Sequence, residues 1–128
     1  MSKVPDSRLT SEEEYRNVFE AAGDGLVIYD IGWDSVAEAN PAACEMHGYT
    51  RQEFIGLKPA VFMLPESHAL FIEQVRAAAP GSVSEWLAVH LCKGGSTFHA
   101  EVHRSVINYR GRPCLLSVIR DVSQRVQT

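Results

Sequence analysis

Helix-start and helix-stop signals follow one another closely between residues 40 and 56. Asn40-Pro41 pairs an N-cap residue with proline at the first helical position, and Gly48 is the expected left-handed terminator of that helix. Thr50 to Glu53 forms a capping box that opens a second helix, which Gly56 ends. The segment therefore predicts a cluster of short helices in the middle of the chain.

Hydrophobic periodicity predicts the elements on both sides of this cluster. An N-terminal helix over residues 10–23 has an apolar stripe made of Tyr15, Val18, Phe19 and Ala22. The other predicted elements are strands over 25–30 and 36–39 before the cluster, then a helix over 65–79 and strands over 83–92, 97–109 and 114–122. Strands that are segregated from helices predict an α+β fold, with an antiparallel sheet that is covered on one face.

Size and charge narrow the function classes. The chain has 128 residues, a formal net charge of −4 and an apolar fraction of 45%, which together suit one domain with a packed core. No apolar stretch approaches the roughly 20 residues that span a bilayer, and the acidic balance argues against nucleic acid, whose binding depends on neutralising phosphates. Three scattered cysteines do not form a disulfide framework. We therefore expect a cytoplasmic domain without membrane insertion of this segment.

Four motifs occur in the order and spacing of the PAS family of sensory modules, which the chain resembles over residues 11–125. They are Ala39 to Ala43 at the strand-to-helix corner, Gly48 to Gly56, the Lys93-Gly94-Gly95-Ser96 hairpin and Arg120 to Ser123. The resemblance implies a five-stranded antiparallel sheet of order 2-1-5-4-3, with short helices over a pocket on one face and an N-terminal flanking helix. It implies one PAS domain at 10–125 and the start of an output linker at 124–128. Residues 1–9 are polar and carry no periodicity, which predicts a flexible lead-in.

His68 is the candidate cofactor ligand. The helix after the cluster places His68, Phe71, Ile72 and Val75 on an apolar stripe that should face the pocket. His68 to Ile72 also resembles the His-x-x-aromatic-Ile run of heme-binding oxygen sensors of this family, in which that histidine is the axial iron ligand. The resemblance implies heme b as a candidate cofactor with His68 as its metal ligand. The alternative is a core histidine that hydrogen-bonds a backbone carbonyl.

A flavin is less favoured than heme. The flavin-reactive Asn-Cys-Arg-Phe-Leu run of light-oxygen-voltage domains is absent, because Cys44 is followed by Glu45-Met46-His47. Cys44 and His47 lie at i, i+3 on a short helix, where a thiolate–imidazole pair would be reactive. Packing of a buried small side chain is the preferred role for Cys44.

The hairpin register decides which other side chains face the pocket. If Gly94-Gly95 is a two-residue turn, Leu87 pairs with Val102 and His90 with His99. This register puts Leu87, Val89 and Val102 on the pocket face, and Arg104 farther along it, where it would meet an acidic ligand group. The opposite face then carries Trp86, His90, Cys92, His99, Glu101 and His103. Some of these form a metal-like set, although a flat sheet brings opposed side chains together only in pairs.

Two hypotheses of different classes follow. In the first, a sensory input domain binds a small ligand in its core and relays the change through Arg120 and Asp121 to a covalently linked effector, such as a histidine kinase or a cyclic-nucleotide domain. In the second, a cofactor-free module forms a homodimer through the cap helix and the outer sheet face, using Tyr15, Val18, Phe19 and Trp86. An enzyme is not expected, because the chain has neither a phosphate-binding loop nor a catalytic triad motif.

Overall fold

The computed structural model describes residues 11–123, so the predicted lead-in at 1–9 and output linker at 124–128 lie outside the described part of the chain. The elements are α1 (Ser11–Ala21), β1 (Gly25–Asp30), β2 (Ser35–Ala39), α2 (Pro41–His47), α3 (Arg51–Phe54), a 3₁₀ helix (Pro59–Phe62), α4 (Pro65–Arg76), β3 (Val83–Leu91), β4 (Thr97–Tyr109) and β5 (Arg112–Asp121). The 3₁₀ helix was not predicted, and α4 ends three residues earlier than its pattern indicates. None of the helices in this range is long and apolar enough to cross a membrane.

The five strands form one antiparallel sheet of order β2-β1-β5-β4-β3, which confirms the predicted α+β topology. The helices from α2 to α4 cover one face of this sheet, which we call the inner face. The main core lies between them, and its fully buried members include Phe54, Ala39 and Leu115. The side chains of this layer set the shape of any internal site.

Helix α1 crosses the opposite, outer face. Phe19 is its buried anchor and packs with Ile28 and Cys114 in a second, smaller hydrophobic cluster. The rest of the predicted stripe is not buried to the same degree, because Val18 is 69% exposed and Tyr15 is 37% exposed. Tyr15 instead stacks on Phe19 at a ring-centroid distance of 5.5 Å. One aromatic residue therefore holds the cap helix on the sheet.

The β3–β4 hairpin differs from its predicted register. The connection is five residues long, over 92–96, with Cys92 N–H donating to the Ser96 carbonyl at 2.8 Å. Trp86 consequently faces Val102, and His90 faces Phe98, one residue away from the expected pairs. Because side chains alternate along a strand, a slip of one residue exchanges the two faces of β3. The predictions that Leu87 and Val89 face inward and that Trp86 and His90 face outward are therefore wrong.

The segment that leads through the 3₁₀ helix forms hydrogen bonds to both edge strands of the sheet, β2 and β3. On β2, Val36 donates its N–H to the Leu57 carbonyl at 2.9 Å and accepts from Gly56 N–H at 2.8 Å. On β3, the Val89 carbonyl accepts from Leu64 N–H at 3.2 Å, and Val89 N–H donates to Ser67 Oγ at 2.8 Å. The segment from 56 to 67 is thus fixed to the sheet at two opposite edges, directly above the core.

The predicted helix signals at 40–56 have the expected geometry. Gly48 ends α2 with a φ of 80°, in the left-handed region that glycine tolerates. Thr50 and Glu53 form the complete capping box of α3, each side chain bonding the other's backbone N–H. Asn40 accepts at Oδ1 from Ala43 N–H at 2.9 Å, which caps α2.

The Asn40 side chain also joins three other places. Its Oδ1 accepts from Leu26 N–H at 2.7 Å, and its Nδ2 donates to the carbonyls of Phe19 and Asp24, each at 3.0 Å. The residue is 0% exposed, so water cannot replace these bonds. One amide therefore links the end of α1, the start of β1 and the first turn of α2.

Replacing Asn40 with alanine should be severely destabilising. The change leaves buried backbone donors and acceptors without partners, each costing about 1–3 kcal/mol, so we expect a loss of at least about 3 kcal/mol in the free energy of unfolding. Urea denaturation monitored by tryptophan fluorescence measures this quantity. The exposed Asn108→Ala on β4 is the matched control and should change stability by less than about 0.5 kcal/mol. Equal effects of the two changes would contradict the role given to Asn40.

Candidate functional site

A small cavity lies between the helices and the inner face of the sheet. Its volume is about 20 Å³, enough for roughly one water molecule. The sheet supplies its floor, and the 3₁₀ helix and α4 supply its roof. The lining residues are Val27, Tyr29, Val36, Pro59, Phe62, Met63, Phe71, Trp86, His90, Val102, Ser117 and Ile119.

Only part of the predicted pocket set reaches this cavity. Phe71 and Val102 line it, as the sequence predicts. The other predicted residues are not among its lining residues; they are His68, Ile72, Val75, Leu87, Val89 and Arg104. The register of β3 turns Leu87 and Val89 to the outer face, away from the cavity. On α4, the buried positions are Ser67 and Phe71, so His68 lies beside the inward stripe and not on it.

The residues present do not fit heme. A cofactor-sized pocket has roughly 300 Å³ or more, whereas the cavity has about 20 Å³. The predicted axial ligand His68 is only half-buried and does not line it. The same volume argues against a flavin. Neither heme nor flavin is therefore assigned to this cavity.

The register also separates the hairpin residues that the sequence suggested as metal ligands. His90 is on the inner face, while His99 is exposed on the outer face. Within residues 11–123, no group of three or more histidine, cysteine or acidic side chains is arranged to hold a metal ion. Cys44 is buried in the core, and burial raises the pKa of its thiol, which is the opposite of thiolate activation.

The cavity instead contains one end of a buried histidine pair. His47 Nε2 and His90 Nδ1 are 2.9 Å apart, and both residues are at most 2% exposed. His47 Nδ1 lies 2.8 Å from the Ala43 carbonyl, which can only accept a hydrogen bond, so this nitrogen carries a proton. In the neutral ring, His47 Nε2 is then the acceptor and His90 Nδ1 is the donor. The two tautomers are set by a single backbone oxygen.

The pair is surrounded by aromatic rings. His47 makes edge contacts with Phe54, Phe62 and Phe98 at centroid distances of 5.1–5.5 Å. Burial lowers the pKa of His47 to about 4. Burial, together with the neighbouring His47, lowers the pKa of His90 to about 3. Both imidazoles are therefore neutral at physiological pH.

Sequence reasoning missed this pair because it joins two elements. The sequence patterns put His47 on a short helix and His90 on the outer face of the hairpin, so they do not bring the two residues together. The available signal was the alternation of Trp86, Ala88 and His90, which with a five-residue connection puts all three inward.

Arg120 and Asp121, the predicted output residues, lie at the end of β5. Arg120 bonds both carboxylate oxygens of Asp24, at 3.1 and 3.4 Å, and its Nη1 is 3.7 Å from Glu101. Asp121 accepts from Ser123 N–H at 2.9 Å. The end of β5 is thus tied to the start of β1. Ile119, the residue directly before Arg120, lines the cavity.

Comparison with known proteins identifies the family. A family model described as PAS domain matches residues 23–124, and the chain belongs to the PAS domain family. The methyl sulfide methyltransferase-associated sensor of Methanosarcina acetivorans is 27% identical over 123 residues, which cover 96% of this chain and 12% of that protein. The chain thus spans about an eighth of its curated relative.

Two solved structures show the same fold. The PAS domain of an HTR-like protein from Haloarcula marismortui has a TM-score of 0.77 at 22% identity, covering 88% of this chain and 92% of that one. A domain of a sensory box sensor histidine kinase/response regulator from Geobacter sulfurreducens has a TM-score of 0.72 at 25% identity, covering 86% and 93%. These similarities agree with the strand order and the helices described above.

The histidine pair predicts acid sensitivity of the fold. The unfolded chain protonates its histidines below about pH 6.5, whereas the folded domain keeps His47 and His90 neutral until pH nears 4 and 3. Stability is therefore complete above about pH 7 and falls as the pH decreases from there, by up to about 1.4 kcal/mol per pH unit for each histidine.

Urea unfolding between pH 7 and pH 4.5 measures that slope. His90→Gln retains an N–H donor for His47 but removes one titrating group, so the slope should become shallower. His99→Gln, an exposed histidine of β4, is the control and should keep the wild-type slope. If all three proteins share one slope, the buried pair does not govern the acid response.

Proposed function

We propose that this PAS domain is a sensory input module that binds a small ligand in the inner cavity and transmits the bound state through β5. The observation that carries the proposal is that Ser117 and Ile119 of β5 line the cavity, three residues and one residue, respectively, before the strand reaches the Arg120–Asp24 ion pair. A ligand that displaces these side chains would act directly on the strand end. The sensor role of the methanogen relative supports the same assignment.

Ligand entry requires the roof of the cavity to move. The floor consists of strands bonded along their length, whereas the roof consists of short segments that include Met63 and Phe71. Methionine is unbranched and adapts to irregular shapes. A ligand larger than water would therefore expand the cavity by displacing the 3₁₀ helix and α4 from the sheet. Such a site is a minor conformation that the ligand makes dominant.

The proposed output is a change at the end of β5 that reaches an effector. A histidine kinase is the favoured effector class, because the similar Geobacter domain belongs to a sensor histidine kinase/response regulator. A cyclic-nucleotide domain is the second class. Arg120 and Asp121 are the proposed output residues, and the proposed location of the module is the cytoplasm.

Filling the cavity should block the response. Val102→Ile adds one methylene at the cavity wall, and burying it should stabilise the domain by about 0.8 kcal/mol while removing the space in which binding begins. The ¹H–¹⁵N spectrum of the wild-type chain, recorded with a panel of small uncharged and charged compounds, should show saturable shifts at Ser117, Ile119 and Arg120. The same compounds should shift the Val102→Ile spectrum much less.

The matched control is Val118→Ile, which adds the same methylene on the outer face of β5. It should bind as the wild type does. If Val102→Ile and Val118→Ile respond alike, or if no compound shifts β5, the cavity is not a sensory site.

A second candidate function is homodimerisation, and a specific observation favours it. On the outer face of β3, Val83 is 75% exposed and Leu87 is 65% exposed, and on α1 Val18 is 69% exposed. These apolar side chains lie on the face that the cap helix only partly covers, so a second copy of the chain is the proposed partner. Trp86 is not part of this surface, because it lines the cavity.

Sedimentation velocity over a concentration series tests the dimer. Leu87→Glu puts a charge at the proposed interface and should weaken association at least tenfold, since burying an unpaired carboxylate is unfavourable. Val61→Glu, at an exposed apolar position of the 3₁₀ helix over the inner face, should leave association unchanged. A wild-type chain that stays monomeric at millimolar concentration would exclude the dimer.

A further inference from the structure

Arg104 is a buried arginine without a counter-charge. It lies on the inner face of β4 and is 4% exposed. Its Nη1 donates to Ser82 Oγ at 2.9 Å, and its Nε is buried with no hydrogen-bond partner. Among the side chains described over residues 13–123, none forms an ion pair with it. A buried guanidinium in this state is energetically costly.

Three other arginines in the chain show what the free edge of Arg104 would hold. Each uses Nε and Nη2, the two parallel donors on one edge of the guanidinium, to bind both oxygens of a carboxylate. The pairs are Arg51–Glu38 at 2.7 and 2.7 Å, Arg112–Asp30 at 2.5 and 3.1 Å, and Arg120–Asp24 at 3.4 and 3.1 Å. In Arg104, the most buried of the four, the same edge has no partner, and only Nη1 is bonded.

The surroundings of Arg104 are suited to a carboxylate. In the sheet register its cross-strand neighbours are Ser84 on β3 and Ser117 on β5, so a serine flanks Arg104 on each side in the sheet. Ser117 is also a lining residue of the inner cavity. Ser117 is thus both a neighbour of Arg104 in the sheet and part of the cavity wall, so Arg104 lies beside the wall of a cavity that it does not itself line.

We propose that Arg104 binds the carboxylate of a small organic acid through Nε and Nη2, with the apolar part of the acid in the inner cavity. This inference rests on the proposed function, because it takes the cavity as the place for the rest of the ligand. It narrows the ligand class to short monocarboxylates, since one guanidinium supplies one positive charge and the adjoining space is apolar. Ser84 and Ser117 are positioning residues for the carboxylate.

The Nε–H proton of Arg104 is a direct probe of this site. Propionate added to the ¹⁵N-labelled wild-type chain should move the Arg104 Nε–H resonance downfield and saturate, because a charge-assisted bond forms. The signal is assigned by its disappearance in Arg104→Lys. The corresponding resonances of Arg51 and Arg112 are internal controls and should stay in place. Propionamide, which has the same shape without the charge, should leave the Arg104 signal unchanged.

Thermal unfolding separates a binding role from a structural one. Arg104→Met removes a buried unpaired charge, so the unliganded variant should melt a few degrees higher than the wild type. Propionate should raise the melting temperature of the wild type and not that of Arg104→Met. Arg110→Met, at the exposed turn after β4, should respond to propionate as the wild type does. A lower melting temperature for Arg104→Met without an Nε–H shift in the wild type would overturn the proposal.

The outcomes distinguish this inference from the function it rests on. If propionamide or another neutral compound shifts Ser117 and Ile119 while propionate does not, the sensory cavity stands and the carboxylate site is wrong. If no compound of either class shifts these residues, both are wrong. If inorganic phosphate moves the Arg104 Nε–H and propionate does not, the site does not select carboxylates and the inference is overturned.

Discussion

The buried amide of Asn40 is the interaction on which the remaining architecture depends. It fixes the first turn of α2 against the start of β1, which sets the direction of that short helix. At the other end of α2 stands His47, whose ring reaches His90 on the opposite edge of the sheet. The position of one amide therefore decides whether two histidines from distant parts of the chain meet.

The topology could be predicted from the sequence because its signals are local. The Asn-Pro start at 40–41, the capping box at Thr50–Glu53 and the terminal glycines each act within a few residues, and all have the expected geometry. The register of β3 could not be predicted in the same way. Trp86 and Ala88 alternate with Leu87 and Val89, so both faces of the strand are apolar. The five-residue connection, which no local pattern distinguishes from a Gly-Gly turn, decided between them.

The candidate site was predictable only to the extent that it depends on single elements. Phe71 on α4 and Val102 on β4 were found because each follows the periodicity of its own helix or strand. The prediction that His68 faces the pocket is wrong by one helical position. The bond from Val89 N–H to Ser67 Oγ turns Ser67, and not His68, toward the sheet. The histidine pair depends on both the rotation of α2 about its axis and the register of β3. No single segment of the sequence determines either of them.

The segment from 56 to 67 has a further consequence at the ends of the sheet. A strand at the edge of a sheet presents free backbone groups that can recruit another chain and seed aggregation. Here Val36 on β2 and Val89 on β3 are both bonded by this segment, Val36 through its backbone and Val89 through Leu64 N–H and Ser67 Oγ. An intermolecular strand cannot pair along the whole of either edge unless the roof first detaches at these residues. The roof over the cavity therefore also interrupts both edges and opposes fibril-like association.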